Sequence, residues 1–220
     1  MIQRRFALLA VLAFAMMAPA LAQDATPAPP ANAAEAAFVA KIQADLTKRF
    51  PTAAAAEHAG YLRFGDEDDT GSISYANREW TSADAAHPSQ LWYDVNGRLL
   101  GADYSVPYTD ARPTLWGIDP SRWSRFGFHI HYGLVAPGGA TKYGAIGAKK
   151  YAAAAGDSAH PDAAGLVKAG VATTTDQVKF VFPFPAIWDL QVWVLPNPAG
   201  AFAEKNPNVK PSDHAKSMSM

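Results

Sequence analysis

Two histidines, His129 and His131, stand one residue apart in the run Phe128-His129-Ile130-His131-Tyr132. On an extended strand alternate side chains share a face, so the two imidazoles point one way while Phe128, Ile130 and Tyr132 point the other. Neutral imidazoles held about 6 to 7 Å apart along one strand can ligate zinc or copper. An imidazole is also the side chain that titrates closest to neutral pH, which suits acid/base work. A metal site needs further ligands, and the sequence offers His87, His160, Asp103, Glu79 and Asp189. Asp189 stands out because it interrupts an otherwise apolar strand, where a carboxylate needs a partner. On that strand Gln191 and Trp193 share the face of Asp189, opposite Leu190, Val192 and Val194, which marks Trp193 as a pocket wall or an interface residue rather than a core plug. His129, His131, Asp189, Gln191 and Trp193 are the candidate ligand-binding residues, with His129 and His131 the metal candidates.

A second feature is the acidic segment Asp66-Glu67-Asp68-Asp69-Thr70-Gly71. Asp66, Asp68, Thr70, Gly71 and Ile73 fall on the ligand, turn and apolar positions of a calcium loop. Asn77 stands where a bidentate glutamate should close the cage, and a strand pattern follows where a helix is required, so calcium ranks below zinc or copper and a solvated turn is the expectation. No Gly-x-Ser-x-Gly, P-loop, His-Glu-x-x-His or Gly-x-Gly-x-x-Gly motif occurs.

The elements that must position these residues read as follows. Asn32 caps a helix whose stripe is Phe38, Ile42, Leu46 and Phe50, stopped by Pro51; an Ala-rich helix follows over residues 52–62. Strand patterns begin at Ser72. Segments 90–95 and 98–106 flank Asn96-Gly97, which predicts a two-residue type I′ hairpin. A helical turn over 121–125 leads to a strand over 127–135. Two helices are expected over 145–155 and 161–168, then strands over 178–184 and 187–195, with Pro183 and Pro185 at a bend or an edge. The fold class is α+β: one domain with a central antiparallel sheet, N-terminal helices and a helical insertion before the last strands.

Residues 1–22 have the layout of a secretory signal, with Arg4 and Arg5, an apolar run from Phe6 to Met17, and Ala20-Leu21-Ala22 as the exit. Cleavage after Ala22 is expected, giving a periplasmic or secreted protein with no membrane attachment. A flexible linker spans 23–32, the globular domain 33–205 and a flexible tail 206–220. The 220 residues are 49% hydrophobic and 18% charged, with no cysteine and a net charge of −1. That balance excludes disulfide frameworks, thiolate chemistry and an electrostatic footprint for nucleic acid. The expected function is binding of a small ligand or metal ion at a sheet-face site around His129 and His131. An enzyme using these histidines in acid/base or metal-assisted chemistry is the first alternative, and a structural or self-assembling protein, including a homo-oligomer, the second.

Overall fold

In a computed structural model of the chain, the structure describes residues 27–77, 79, 80, 83–213 and 215. The expected export signal and residues 23–26 of the linker lie outside the described residues. The fold is α+β and its strand pairs are antiparallel.

Helix α1 spans Ala33–Arg49. The Asn32 side chain accepts the Glu35 amide and caps it, as the sequence predicts. Its stripe of Phe38, Ile42 and Leu46 is buried. Glu35 is buried too, accepting from the amides of Ala31 (2.7 Å) and Asp119 (3.0 Å) and from Arg122, which pins the helix to a distant loop. Helix α2, Ala53–His58, is shorter than expected because Gly60 turns out at φ +89°.

Six strands form the larger sheet: β1 (Leu62–Arg63), β2 (Ile73–Ala76), β3 (Gln90–Tyr93), β4 (Leu99–Pro107), β9 (Ile187–Trp193) and β5 (Ser124–Phe126), in that spatial order. Alternation gives it two different faces. Tyr104, Leu190 and Val192 on one face join Phe38, Ile42 and Leu46 of α1 in the main core. The other face carries Trp92, Asp103, Ser105, Asp189 and Gln191.

The smaller sheet has the order β7 (Thr141–Gly147), β6 (His129–Val135), β8 (Val178–Phe184). Its outer face, with Ile130, packs under α3 (Ala148–Ala155) and α4 (Ala163–Lys168) through Tyr151 and Leu166. These two helices are the expected insertion. Strand β7 is a departure from the sequence reading, which began a helix at residue 145. Of β7 only Ile146 is buried. Gly144 leaves room for the Tyr132 ring, since a Cβ there would lie 2.5 Å from it.

The two sheets are parts of one bent ribbon. Strand β5 pairs with β9 in the register Phe126↔Ile187, and β6 pairs with β8 in the register His129↔Phe184, so the count continues unbroken across the gap. Gly127 and Phe128 on one strand, and Pro185 and Ala186 on the other, form the bend; Pro185 has no amide to give to a ladder. Across the bend the facing parity flips: Ser124 and Phe126, then His129 and His131, look into the space between the sheets.

At the hairpin the turn differs from the expected type. Only Gly97 has a positive φ (+75°), and Asn96 does not. The Gly97 amide donates to the Asp94 carbonyl (2.9 Å), the Asp94 amide to the Arg98 carbonyl (3.0 Å). This is a three-residue loop with a left-handed glycine, stabilised by the Asp94 carboxylate, which accepts from the amides of Asn96 and Arg98. Val95 lies in the loop and is exposed, rather than continuing the face of Leu91 and Tyr93.

Packing also continues beyond residue 205, where the sequence reading ended the domain. Asn206 is buried and its amide donates to the Pro196 carbonyl (3.2 Å), and the Ser212 amide donates to Glu67 (2.7 Å). Residue 28 of the expected linker exchanges backbone bonds with Ala199 and Phe202.

Candidate functional site

The bend turns the histidine face of the small sheet onto the polar face of the large one, and a cleft of about 390 Å³ lies between them. His129, His131, Asp189 and Gln191 all line it, although they come from two sheets. Trp193, the fifth candidate, does not. It is 1% exposed, packed against Trp92 (5.6 Å between ring centroids), with its indole N–H on the Ala203 carbonyl (2.7 Å). The physical reason is the C-terminal segment, which folds back over β9 at Ala201 to Val209. Trp193 is a core plug, and the pocket-wall reading is corrected.

On the histidine wall, His129 Nδ1 lies 2.7 Å from the Gly127 carbonyl. A carbonyl only accepts, so Nδ1 carries the proton, which makes Nε2 of a neutral ring an acceptor. His131 Nε2 lies 2.9 Å from His129 Nε2, and therefore donates to it. The two rings form an ordered pair seated on phenylalanines: His131 stacks on Phe182 (5.4 Å) and meets Phe64 edge-on (5.3 Å), and His129 lies beside Phe184 (5.2 Å). Ile130 is fully buried behind them as expected, whereas Phe128 falls at the bend and is exposed.

The opposite wall holds two carboxyl groups. Register places Asp103 opposite Gln191 and Ser105 opposite Asp189 on β4 and β9, so all four side chains share one face. Asp103 (8% exposed) accepts from the Trp92 indole N–H at 2.8 Å, and Asp189 (6% exposed) from the Ser105 hydroxyl at 2.7 Å. Ser89 braces the group, 2.8 Å from Ser105 Oγ and 3.0 Å from the Asp103 carbonyl. The two carboxyl groups are near enough for each to influence the ionisation of the other. Burial and the neighbouring Asp189 charge push Asp103 well above the usual carboxylate range, which favours its neutral form. Burial also raises Asp189, against the hydrogen bonds from Ser105 and Asp103 that favour its ionised form. Two neighbouring buried carboxyls do not both ionise readily, so their titrations are linked.

The expected metal chemistry does not find its ligands. Among the described residues no group of three or more His, Cys, Asp and Glu is arranged to hold an ion. The Nε2 lone pair of His129 is taken by His131. His87 pairs with Asp84 (2.6 Å) and His160 with Asp157 (2.8 Å), each in its own surface turn. The calcium-loop reading fails on the same ground. Asp68 accepts from the amides of Thr70 (2.8 Å) and Ser72 (3.1 Å) and from the Thr70 hydroxyl, while Asp66 turns to Arg63 and the Tyr143 amide. Those carboxylates order the turn between β1 and β2, and Asp66 ties it to Tyr143 of the smaller sheet.

Sequence reasoning named Asp103 only as a scattered candidate ligand and passed over Ser105, Phe64 and Phe184. The alternation Phe180, Phe182, Phe184 was a usable signal for an aromatic face. The pairing of Asp103 with Asp189 rests on strand register and was out of reach. No helix among the described residues is long and apolar enough to cross a membrane. No family model, curated protein or solved structure matches the chain significantly.

Proposed function

We propose that the chain is an exported protein that binds a small molecule in the cleft between its two sheets. The observation that carries the reading is convergence: polar side chains from two different sheets line one concavity of about 390 Å³, inside the range of roughly 300 to 1,000 Å³ usual for small-ligand sites. Their geometry is preorganised. The imidazole pair is fixed by the Gly127 carbonyl, and the carboxyl pair by Trp92, Ser105 and Ser89, so a ligand meets donors and acceptors already oriented. A flat apolar face, the requirement for the self-assembly alternative, is not what this sheet offers.

One observation favours an enzyme as a second reading. Two neighbouring buried carboxyls, with Asp103 the one raised well above the usual range, stand opposite a histidine pair, a suitable arrangement for proton transfer to a bound substrate.

The test is a thermal-shift screen of amines, carboxylates, sugars and alcohols on the purified chain, repeated on Ser124→Trp. Ser124 is an exposed lining residue on the edge strand β5, so the substitution fills the cleft without cutting the core. A true ligand raises the melting temperature saturably, since binding only the folded state must stabilise it. That rise should be lost in Ser124→Trp. A screen with no saturable shift, or shifts unaffected by the plug, overturns the reading.

A further inference from the structure

The charge of the cleft is one-sided. Asp68, Asp103, Asp189 and Glu204 line it, and no Lys or Arg is among its lining residues. Asp103 and Asp189 are each more than nine-tenths buried, and among the described residues neither takes part in an ion pair. A buried negative charge held by hydrogen bonds alone is one that a cation can compensate. A second compartment of about 570 Å³ adjoins the cleft. Phe64, His131 and Phe184 line both, so they form the wall between the two spaces. Beyond that wall the lining is mainly apolar, with Leu62, Trp80, Phe180 and Phe182. Phe180 keeps its place because its strand neighbour is Gly133, where a Cβ would come within 2.3 Å of the ring.

We propose that the ligand is an organic ammonium ion whose charged nitrogen docks against the Asp103–Asp189 pair and whose apolar body lies along the phenylalanine face of β8. The proposal rests on the small-molecule reading and gives it a chemical class. Three features select that class together. An anion meets four carboxyl groups and no Lys or Arg in the cleft, whose only basic side chains are the paired imidazoles of His129 and His131. A neutral polyol gains hydrogen bonds but no charge compensation. An ammonium gains both, and the faces of Phe64 and Phe184 at the junction attract a cation through their ring quadrupoles. The apolar compartment behind them accommodates a body that water would otherwise have to solvate.

The experiment is calorimetric titration of the full chain with three probes of one shape: 2-phenylethylammonium, 3-phenylpropionate and 2-phenylethanol. The ammonium should bind saturably. The carboxylate should not bind, and the alcohol should bind weaker than the ammonium by about tenfold or more, the scale of a lost charge partner. Asp189→Asn, isosteric with the native residue, should reduce ammonium affinity by about tenfold or more and leave alcohol affinity close to its native value. Because a change on β9 could disturb folding, Phe184→Leu on the opposite sheet provides the second arm and should weaken the ammonium through lost ring contact. Absence of ammonium binding, or binding that Asp189→Asn leaves untouched, overturns the assignment. If the carboxylate or the alcohol binds in its place, the small-molecule reading stands and the cation reading alone falls; if no probe binds here and the wider screen is silent, both fall.

Discussion

Asp103 is the residue at which folding and site chemistry pull against each other. Its pKa rises from 3.8 in the unfolded chain because burial and Asp189 disfavour its charge, so the native state holds a proton that the unfolded state releases. The stability that this proton provides is therefore complete below about pH 4 and is lost as pH rises toward the native pKa. The groups facing Asp103 are Asp189 beside it, Asp68 on the loop between β1 and β2 and the histidine pair across the cleft. Asp103→Asn keeps an acceptor for the Trp92 indole and a permanent donor for Asp189. Relative to the native protein it should gain about 1.4 kcal/mol per pH unit through that window. Urea unfolding at steps from pH 4 to 8 reads the difference, and parallel profiles would count against a raised pKa at Asp103. Glu35 has the opposite sign. Burial opposes its ionisation, yet the Ala31 and Asp119 amides and the Arg122 guanidinium outweigh it and hold its pKa below 4.5. Its contribution is present above the unfolded pKa and vanishes as pH falls through the native one. Glu35→Gln should cost about 1 to 3 kcal/mol at neutral pH and progressively less in acid, measured the same way. At this scale the sequence was informative about His129, His131 and Asp189, whose spacing and apolar surroundings mark them. It was silent on Asp103 as a partner, because its environment is set by a strand 86 residues away in the chain.

The hairpin turn and the helical cover of the small sheet are the elements whose glycines matter. At Gly97 a Cβ would meet only Ala53, at 3.7 Å, so a substitution there is resisted by backbone conformation rather than by contact. Gly97→Val should lower stability by about 1 to 3 kcal/mol and leave the affinity of the folded fraction for a cleft ligand unchanged, as unfolding and binding measured on one sample would show. Gly165 on α4 is the reverse case. A Cβ there would lie 1.8 Å from the Tyr151 hydroxyl, and Tyr151 is fully packed between α3, α4 and the sheet. Gly165→Ala should cost about 1 to 3 kcal/mol by overpacking, seen as a lower thermal midpoint. Helix α1, the hairpin and the proline bend were legible because each has a local cause: a four-residue stripe with a cap, turn residues, missing amide donors. The turn type was misread since Asn-Gly suits both loop lengths, and the Asp94 side chain decides between them. Strand β7 escaped notice because six of its seven positions are small, polar or half-exposed, and its pairing with β6 supplies the order that its own residues do not signal.

The whole molecule is an antiparallel ribbon folded onto itself, and the fold makes a site that no single element contains. The α+β class and the helical insertion follow from patterns read along the chain. The division into two sheets does not, since it depends on a parity change at Gly127 and Phe128 that alternation alone cannot foresee. The return of residues 196–212 across β9 was likewise hidden in a segment rich in Pro, Asn and Lys, and it turned Trp193 from an expected pocket wall into core. Export remains a proposal from residues 1–22, and mass spectrometry of protein recovered from periplasm or medium should find Gln23 as the first residue; an intact Met1 terminus there would contradict it. The central claim is that His129 and His131 on one sheet and the Asp103–Asp189 pair on the other form one ligand-binding cleft. Its most direct measurement is a titration of the isotopically labelled chain with 2-phenylethylammonium, following the imidazole signals of His129 and His131 and the indole N–H of Trp92, which donates to Asp103. Signals from both sheets are expected to move together along one saturation curve. Shifts confined to one sheet, or found only at residues away from the cleft, would contradict it.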